Sequence, residues 1–145
     1  MLRQLAGSIV LDASVAVEYL VGLSLTRQAQ ALFHALLERD GEMWAPDLVY
    51  PECLSALRRL VRLRSIDATA ATRAVDNLLR LPLAIASTRE LAGRAWTLRE
   101  SITPYDACYA VLAEILEAPL VTADRRLART LSGLGTPAVF LGDLH

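Results

Sequence analysis

Ser8-Ile9-Val10-Leu11-Asp12-Ala13-Ser14 places three aliphatic residues in a row, closes them with an acid and continues into small residues. An apolar run this short, without alternation, reads as a strand buried on both faces, the kind found in parallel sheets. Asp12 then stands at the C-terminal end of that strand. Outward from it, similar runs recur between segments of helical period. A short helix is expected from about Ser14, and a second one capped by Thr26, with Ala29, Leu32, Phe33, Leu36 and Leu37 on its apolar face and Asp40-Gly41 closing it. Met43-Trp44-Ala45 reads as the second strand, and Asp47 or a neighbour opens a helix to about Arg64. Asp67 caps the next helix, which Pro82 stops before the strand Leu83-Ala84-Ile85. Ser87 or Thr88 starts a helix to about Glu100, and Thr103-Pro104 an apolar helix ending near Glu117. Pro119 through Thr122 form a fourth strand, Asp124 begins a short helix, and Pro137 through Leu141 make the last strand. This alternation predicts an α/β fold: a three-layer α/β/α sandwich on a parallel sheet of five strands, with residues 1–145 as one domain.

Composition narrows the classes. A chain of 145 residues buries a core without disulfide or metal staples. Cys53 and Cys108 lie in apolar helical patterns and form no C-x-x-C pair, so they read as reduced core thiols. The net charge of −1 argues against coating nucleic acid through bulk positive charge. Every cation other than histidine is arginine; the absence of lysine removes each mechanism that needs an amine. Met1-Leu2-Arg3-Gln4 does not open an apolar leader, and acids or arginines interrupt every apolar run, so the expectation is a cytoplasmic protein with no membrane span. At 54% hydrophobic residues, part of the surface is expected to meet a partner subunit.

Four acids each admit two readings. Asp12 is either a helix cap or a ligand at a strand end, and Ser14 competes for the cap. Glu52 is either an acid set favourably against a helix dipole or part of a site. Asp106 closes a capping box with Thr103 and a proline at the first helical position, yet Ala107, Ala110 and Ala113 around it let its helix approach the sheet and carry the acid inward. Asp124 follows the strand Leu120-Val121-Thr122 and also suits a cap. As a set they face one edge of the sheet, where independent caps would scatter over both.

Converging carboxylates demand cations. Two of them ~4 Å apart repel by about 4 kcal/mol at an effective dielectric of ~20. Hard oxygen donors select Mg²⁺ or Mn²⁺ over zinc, and neither His34 on its helix nor His145 at the terminus is placed to alter that. Such a cluster suits metal-assisted phosphodiester cleavage.

Four segments carry a resemblance. Ile9 through Val17, with Asp followed two positions later by Ser, looks like the opening of PIN domains; Pro51-Glu52-Cys53-Leu54-Ser55-Ala56-Leu57 resembles their Glu-bearing helix. Thr103 through Ala113 resembles the third-acid helix of VapC-type toxins, and Leu120 through Leu127 their fourth-acid segment. All four occur in order and span essentially the whole chain. The resemblance implies a PIN fold, Mg²⁺- or Mn²⁺-dependent endoribonuclease activity, homodimerisation and neutralisation by a VapB-type antitoxin. It further implies that Asp12, Glu52, Asp106 and Asp124 bind metal and catalyse, with Ser14 and Thr122 as hydrogen-bond partners beside them. Where some relatives carry a further acid, this chain has Arg125 and Arg126, which leaves one ion or two open.

Arg125, Arg126 and Tyr105 are the expected RNA contacts. Arg58, Arg59, Arg62 and Arg64 read either as a solvated last turn that complements the helix dipole or as a phosphate-contacting edge. Trp44, Tyr50, Trp96 and Tyr109 read either as base-stacking platforms or, for most of them, as core or dimer packing. A phosphorelay receiver or a haloacid-dehalogenase-type phosphatase would need a lysine, and the latter a second acid where Ser14 stands. The competing class is a non-catalytic binding module of PIN fold.

Overall fold

A computed structural model describes residues 1–5 and 7–145. Its strands are β1 (Ile9–Leu11), β2 (Met43–Pro46), β3 (Leu83–Ala86), β4 (Leu120–Thr122) and β5 (Ala138–Phe140). The helices are α1 (Ala13–Val21), α2 (Thr26–Leu37), α3 (Val49–Arg62), α4 (Ala68–Leu78), α5 (Thr88–Trp96), α6 (Pro104–Leu116) and α7 (Arg125–Gly133). The sheet runs in the order β3-β2-β1-β4-β5, every neighbouring pair parallel. β1 is central, with Ile9 opposite Met43 on one side and Val10 opposite Leu120 on the other.

Side chains of β1 alternate between two cores, as strand geometry requires. Ile9 and Leu11 pack with Val15, Leu32, Leu36 and Val49 from α1, α2 and α3. Val10 packs with Leu91, Ala110, Leu127 and Leu131 from α5, α6 and α7. Both faces are therefore covered, which is why the strands read as continuous apolar runs. On the second face, α6 lies against β1, β2 and β4 with Ala107, Ala110 and Ala113 fully buried, so the small residues do admit the close approach.

The departures from expectation lie at element ends. α3 begins at Val49, because Asp47 serves a helix distant in sequence: its carboxylate accepts from Thr88 N at 3.3 Å, at the start of α5. Thr26 is the first residue of α2 rather than its cap; its hydroxyl donates to Glu18 O, and the buried Glu18 carboxylate accepts from Leu25 N at 2.8 Å. α5 stops at Trp96 instead of near Glu100, where the Thr97 hydroxyl bonds back to Arg94 O at 2.6 Å. Leu141 leaves the last strand for a 3-10 turn and is fully buried there. Leu37 is exposed, because Ala29, Leu32, Phe33 and Leu36 already complete the stripe that α2 buries. Asp67 caps α4 by accepting from Ala70 N at 2.7 Å.

Candidate active site

The sheet reverses its winding between β1 and β4, and a doubly wound sheet opens a crevice at the C-terminal ends of such strands. Asp12 sits there, its own N–H donating to Val121 O at 3.0 Å. It occupies the N-cap position of α1 but makes no side-chain cap bond. Its carboxylate is turned instead to two hydroxyls. Ser14 Oγ donates to Asp12 Oδ2 at 2.5 Å, and Thr122 Oγ1 donates to the same oxygen at 2.9 Å. Each hydroxyl is oriented from behind: Ala123 N–H donates to Ser14 Oγ at 2.9 Å, and Asp124 N–H to Thr122 Oγ1 at 3.0 Å. Two backbone amides just beyond β4 thus aim two hydroxyls at one carboxylate oxygen, leaving Oδ1 to other partners.

The other acids arrive from separate elements. Glu52 comes from the first turn of α3, whose buried face is Val49, Cys53 and Leu57. Asp106 comes from the first turn of α6, with its N–H on the Thr103 cap hydroxyl at 3.2 Å. Asp124 caps α7: its Oδ1 accepts from Arg126 N at 2.9 Å and Leu127 N at 3.1 Å. The capping reading therefore holds for Asp124, and its second oxygen is the one left for a ligand.

Electrostatics ties the four together. Burial pushes the Asp12 carboxyl above the usual carboxylate range, against the pull of the Ser14 and Thr122 hydroxyls. Burial also lifts Glu52 to about 6; Tyr109 opposes the shift, while the charges of Asp12 and Asp106 add to it. Asp106 is raised by burial and by Asp12 and Asp124. Glu52 and Asp106 are thus less comfortable ionised because of burial and of the acids around them, the pattern of a functional site. Among the described residues no three carboxylate, imidazole or thiol groups close on one point as they stand.

Only two buried side-chain polar atoms among the described residues lack a hydrogen bond, and both are at this site: Glu52 Oε1 and Tyr109 Oη. Tyr109 lies one turn beyond Asp106 on α6, fully buried, near enough to Glu52 to favour its ionised form without completing a bond. Buried orphans of this kind need an explanation. An unpaired carboxylate oxygen among oxygen donors only fits a hard divalent cation. The sequence reading left Tyr109 between core or dimer packing and base stacking and missed that its hydroxyl lies beside Glu52; its i+3 spacing from Asp106 was the available clue.

Two predictions follow from these two groups. Tyr109→Phe removes a hydroxyl that makes no bond, so unfolding stability should stay within about 1 kcal/mol of wild type in urea melts; a loss of ~2 kcal/mol or more would mean the hydroxyl is bonded. Glu52 moves from an ordinary 4.5 to about 6, so between these values the folded chain binds more proton than the unfolded one. Its contribution to stability therefore falls as pH rises across that window. Without metal, Glu52→Gln should melt like wild type below pH 4.5 and above it past about pH 6. Parallel melting curves at every pH would contradict the shift.

The expected RNA contacts separate. Arg125 is engaged, its guanidinium 4.1 Å over the Phe140 ring and 3.3 Å from Asp143 Oδ1. Arg126 lines a cavity of about 310 Å³ with Asp106, Asp124 and Thr103. Tyr105 and Trp96 are exposed, the latter with Arg99 4.9 Å over its ring. His34 is exposed and pairs with Glu38 at 3.5 Å, away from the acids. Cys53 and Cys108 are free and buried. Among the described residues no helix is long and apolar enough to cross a membrane.

The family model of the PIN domain matches residues 9–131, a span that includes the ends of β1 and β4 and the starts of α3 and α6. The chain belongs to the PIN domain family. It is 38% identical over 122 residues to ribonuclease VapC9 of Mycobacterium tuberculosis, covering 84% of this chain and 90% of that protein. Ribonuclease VapC12 of the same organism is also 38% identical over 122 residues, with 84% and 91% covered. Among solved structures, PAE2754 from Pyrobaculum aerophilum superposes with a TM-score of 0.63 at 26% identity, covering 92% of this chain and 85% of that one. VapC20 of M. tuberculosis, described as a sarcin–ricin-loop-cleaving toxin, gives 0.65 at 17% identity over 91% and 98%, a likeness of fold.

Proposed function

We propose that this protein is a toxin-type endoribonuclease that cleaves RNA phosphodiester bonds by divalent-metal-assisted hydrolysis and is neutralised by a cognate VapB-type antitoxin. The observation that carries the reading is the electrostatic coupling of Asp12, Glu52, Asp106 and Asp124 at the β1–β4 switch, with Glu52 Oε1 unpaired. Kinship with proteins named VapC ribonucleases supports it, as does fold likeness to a Rickettsia felis structure titled VapBC2 bound to a promoter DNA fragment (TM-score 0.59, 14% identity, 92% of this chain and 98% of that one). The four acids would hold Mg²⁺ or Mn²⁺ as both metal ligands and catalytic groups. A bound ion supplies Lewis-acid polarisation of the scissile phosphate and neutralises charge on the leaving oxygen.

The chain's own residues have separable tasks. Ser14 and Thr122 fix the rotamer of Asp12, so that its remaining oxygen is presented without a further conformational cost. Glu52 on α3 and Asp106 on α6 lie close enough for the charge of Asp106 to act on Glu52, and Asp124 keeps one oxygen on the α7 amides. Arg126 and Tyr105 are the RNA contacts retained in this reading; Arg125, committed to Phe140 and Asp143, contributes only if that pairing opens. A homodimer acting in the cytoplasm belongs to the same proposal. A non-catalytic PIN-fold binding module is not favoured, because four coupled acids would be a standing electrostatic cost with no use.

The test is cleavage of a structured RNA pool by the purified protein, freed of antitoxin, in Mg²⁺, Mn²⁺ or EDTA. Discrete cuts that require metal are expected. Cuts that persist in EDTA, or none with either ion, would sink the proposal.

A further inference from the structure

Beyond the acids, the strongest charged feature is a groove along α3. Helical spacing puts Glu52, Ser55, Arg59 and Arg62 on one side of the helix, opposite the buried Val49, Cys53 and Leu57. With Arg58 they line an open groove of about 610 Å³ whose one end is Glu52 itself. Arg58, Arg59 and Arg62 are exposed, and among the described residues none forms an ion pair, whereas Arg94, Arg99 and Arg125 each have an acid. From Glu52 to Arg62 the helix advances about 15 Å at 1.5 Å per residue.

We propose that this groove seats the sugar-phosphate backbone of the RNA strand leading into the acids. The inference rests on the ribonuclease reading above. A scissile phosphate held among carboxylates brings its neighbouring phosphates into the same negative field, and three guanidiniums beginning one turn and a half beyond Glu52 offset it. Ser55 and Ala56 keep the floor shallow enough for a backbone to approach. The groove presents no aromatic ring on which a base could stack, so it grips phosphate and carries no sequence information. The path of the strand is thereby outlined by the α3 groove that ends at Glu52 and by the cavity where Arg126 lies with Asp106 and Asp124.

Binding of a fluorescent single-stranded RNA is measured in EDTA, which prevents cutting, between 50 and 200 mM salt. The full-length wild type is compared with the triple variant Arg58→Gln, Arg59→Gln, Arg62→Gln. The control is Arg27→Gln, Arg80→Gln, Arg89→Gln, which removes the same charge outside the groove. Single strands lose affinity with a slope of about −0.7 per phosphate contact, so the groove variant's slope should be shallower by about 2. Wild type should then lose roughly twentyfold more affinity across that salt range than the groove variant, equally for RNAs of different sequence. The control should keep the wild-type slope, and all three proteins should melt alike. Equal slopes for wild type and groove variant, or an equal loss in the control, would overturn the proposal. So would an unchanged RNA slope with weakened binding of polyglutamate, which would make the groove a dock for an acidic protein segment. If wild type cuts RNA yet the slopes match, the groove assignment alone fails; if it neither binds nor cuts RNA, the ribonuclease reading fails with it.

Discussion

Asp12→Asn is expected to lower metal-dependent RNA cleavage by well over 100-fold while leaving the metal-free fold as stable as wild type or more so. Losing a group that merely orients a metal ligand typically costs 10–100-fold, and the proposed function makes Asp12 a ligand itself. The variant's amide oxygen can still accept from Ser14 and Thr122, so the hydroxyl bonds survive while a buried charge disappears. Asp12→Ala separates the two effects. It leaves both hydroxyls without their acceptor, at about 1–3 kcal/mol for each buried donor left unpaired. Activity of each variant in Mn²⁺, beside urea melts in EDTA, would check this. An Asp12→Asn protein that cuts within tenfold of wild type would remove Asp12 from the reaction, and one that unfolds would make its role structural.

The second large effect concerns metal and stability together. Asp106 is raised by burial and by the charges of Asp12 and Asp124, so its ionised form is a source of strain that a shared cation would relieve. Asp106→Asn should therefore melt at or above the wild-type temperature in EDTA. With Mn²⁺ at 100 times its dissociation constant, linkage stabilises wild type by about 2.7 kcal/mol. For a domain near this size that is a rise of roughly 5–10 °C, and the variant should gain clearly less. Equal metal-induced shifts in both proteins would mean that Asp106 does not share the ion.

How much of this could be read without coordinates differs from residue to residue. The aliphatic runs Ile9–Leu11 and Leu120–Thr122 declared buried parallel strands because both faces of such a sheet are covered, and the two cores around Ile9 and Val10 bear that out. Pro104 after Thr103, and Asp67 before Ala68, marked helix starts because capping is local in the chain. Locality also explains the misses. Asp47 looked like a cap for the helix that follows it, yet it caps α5, 41 residues away. Leu37 matched the apolar period of α2 but projects past the stripe that the core accepts. Arg125 and Arg126 were indistinguishable in sequence; Phe140 and Asp143, brought alongside by β5, engage the first and leave the second beside the acids.

For the site, the chain alone offered four acids at strand ends and helix starts, each with a capping or dipole reading beside the functional one, and Asp124 does cap α7. Sequence also determined that the chain has no lysine, and the structure pairs His34 with Glu38. Tertiary structure alone decided which oxygen of Asp12 the hydroxyls of Ser14 and Thr122 would hold, and that Tyr109 and Glu52 would be left facing each other unbonded. It also decided that the α3 arginines would share a groove with Glu52. The physical reason is range. Hydrophobic period and capping act over a few residues, whereas the hydrogen bond from Thr122 to Asp12 joins positions 110 apart. Like the mutual repulsion of the acids, it comes into being only when β1 and β4 pair.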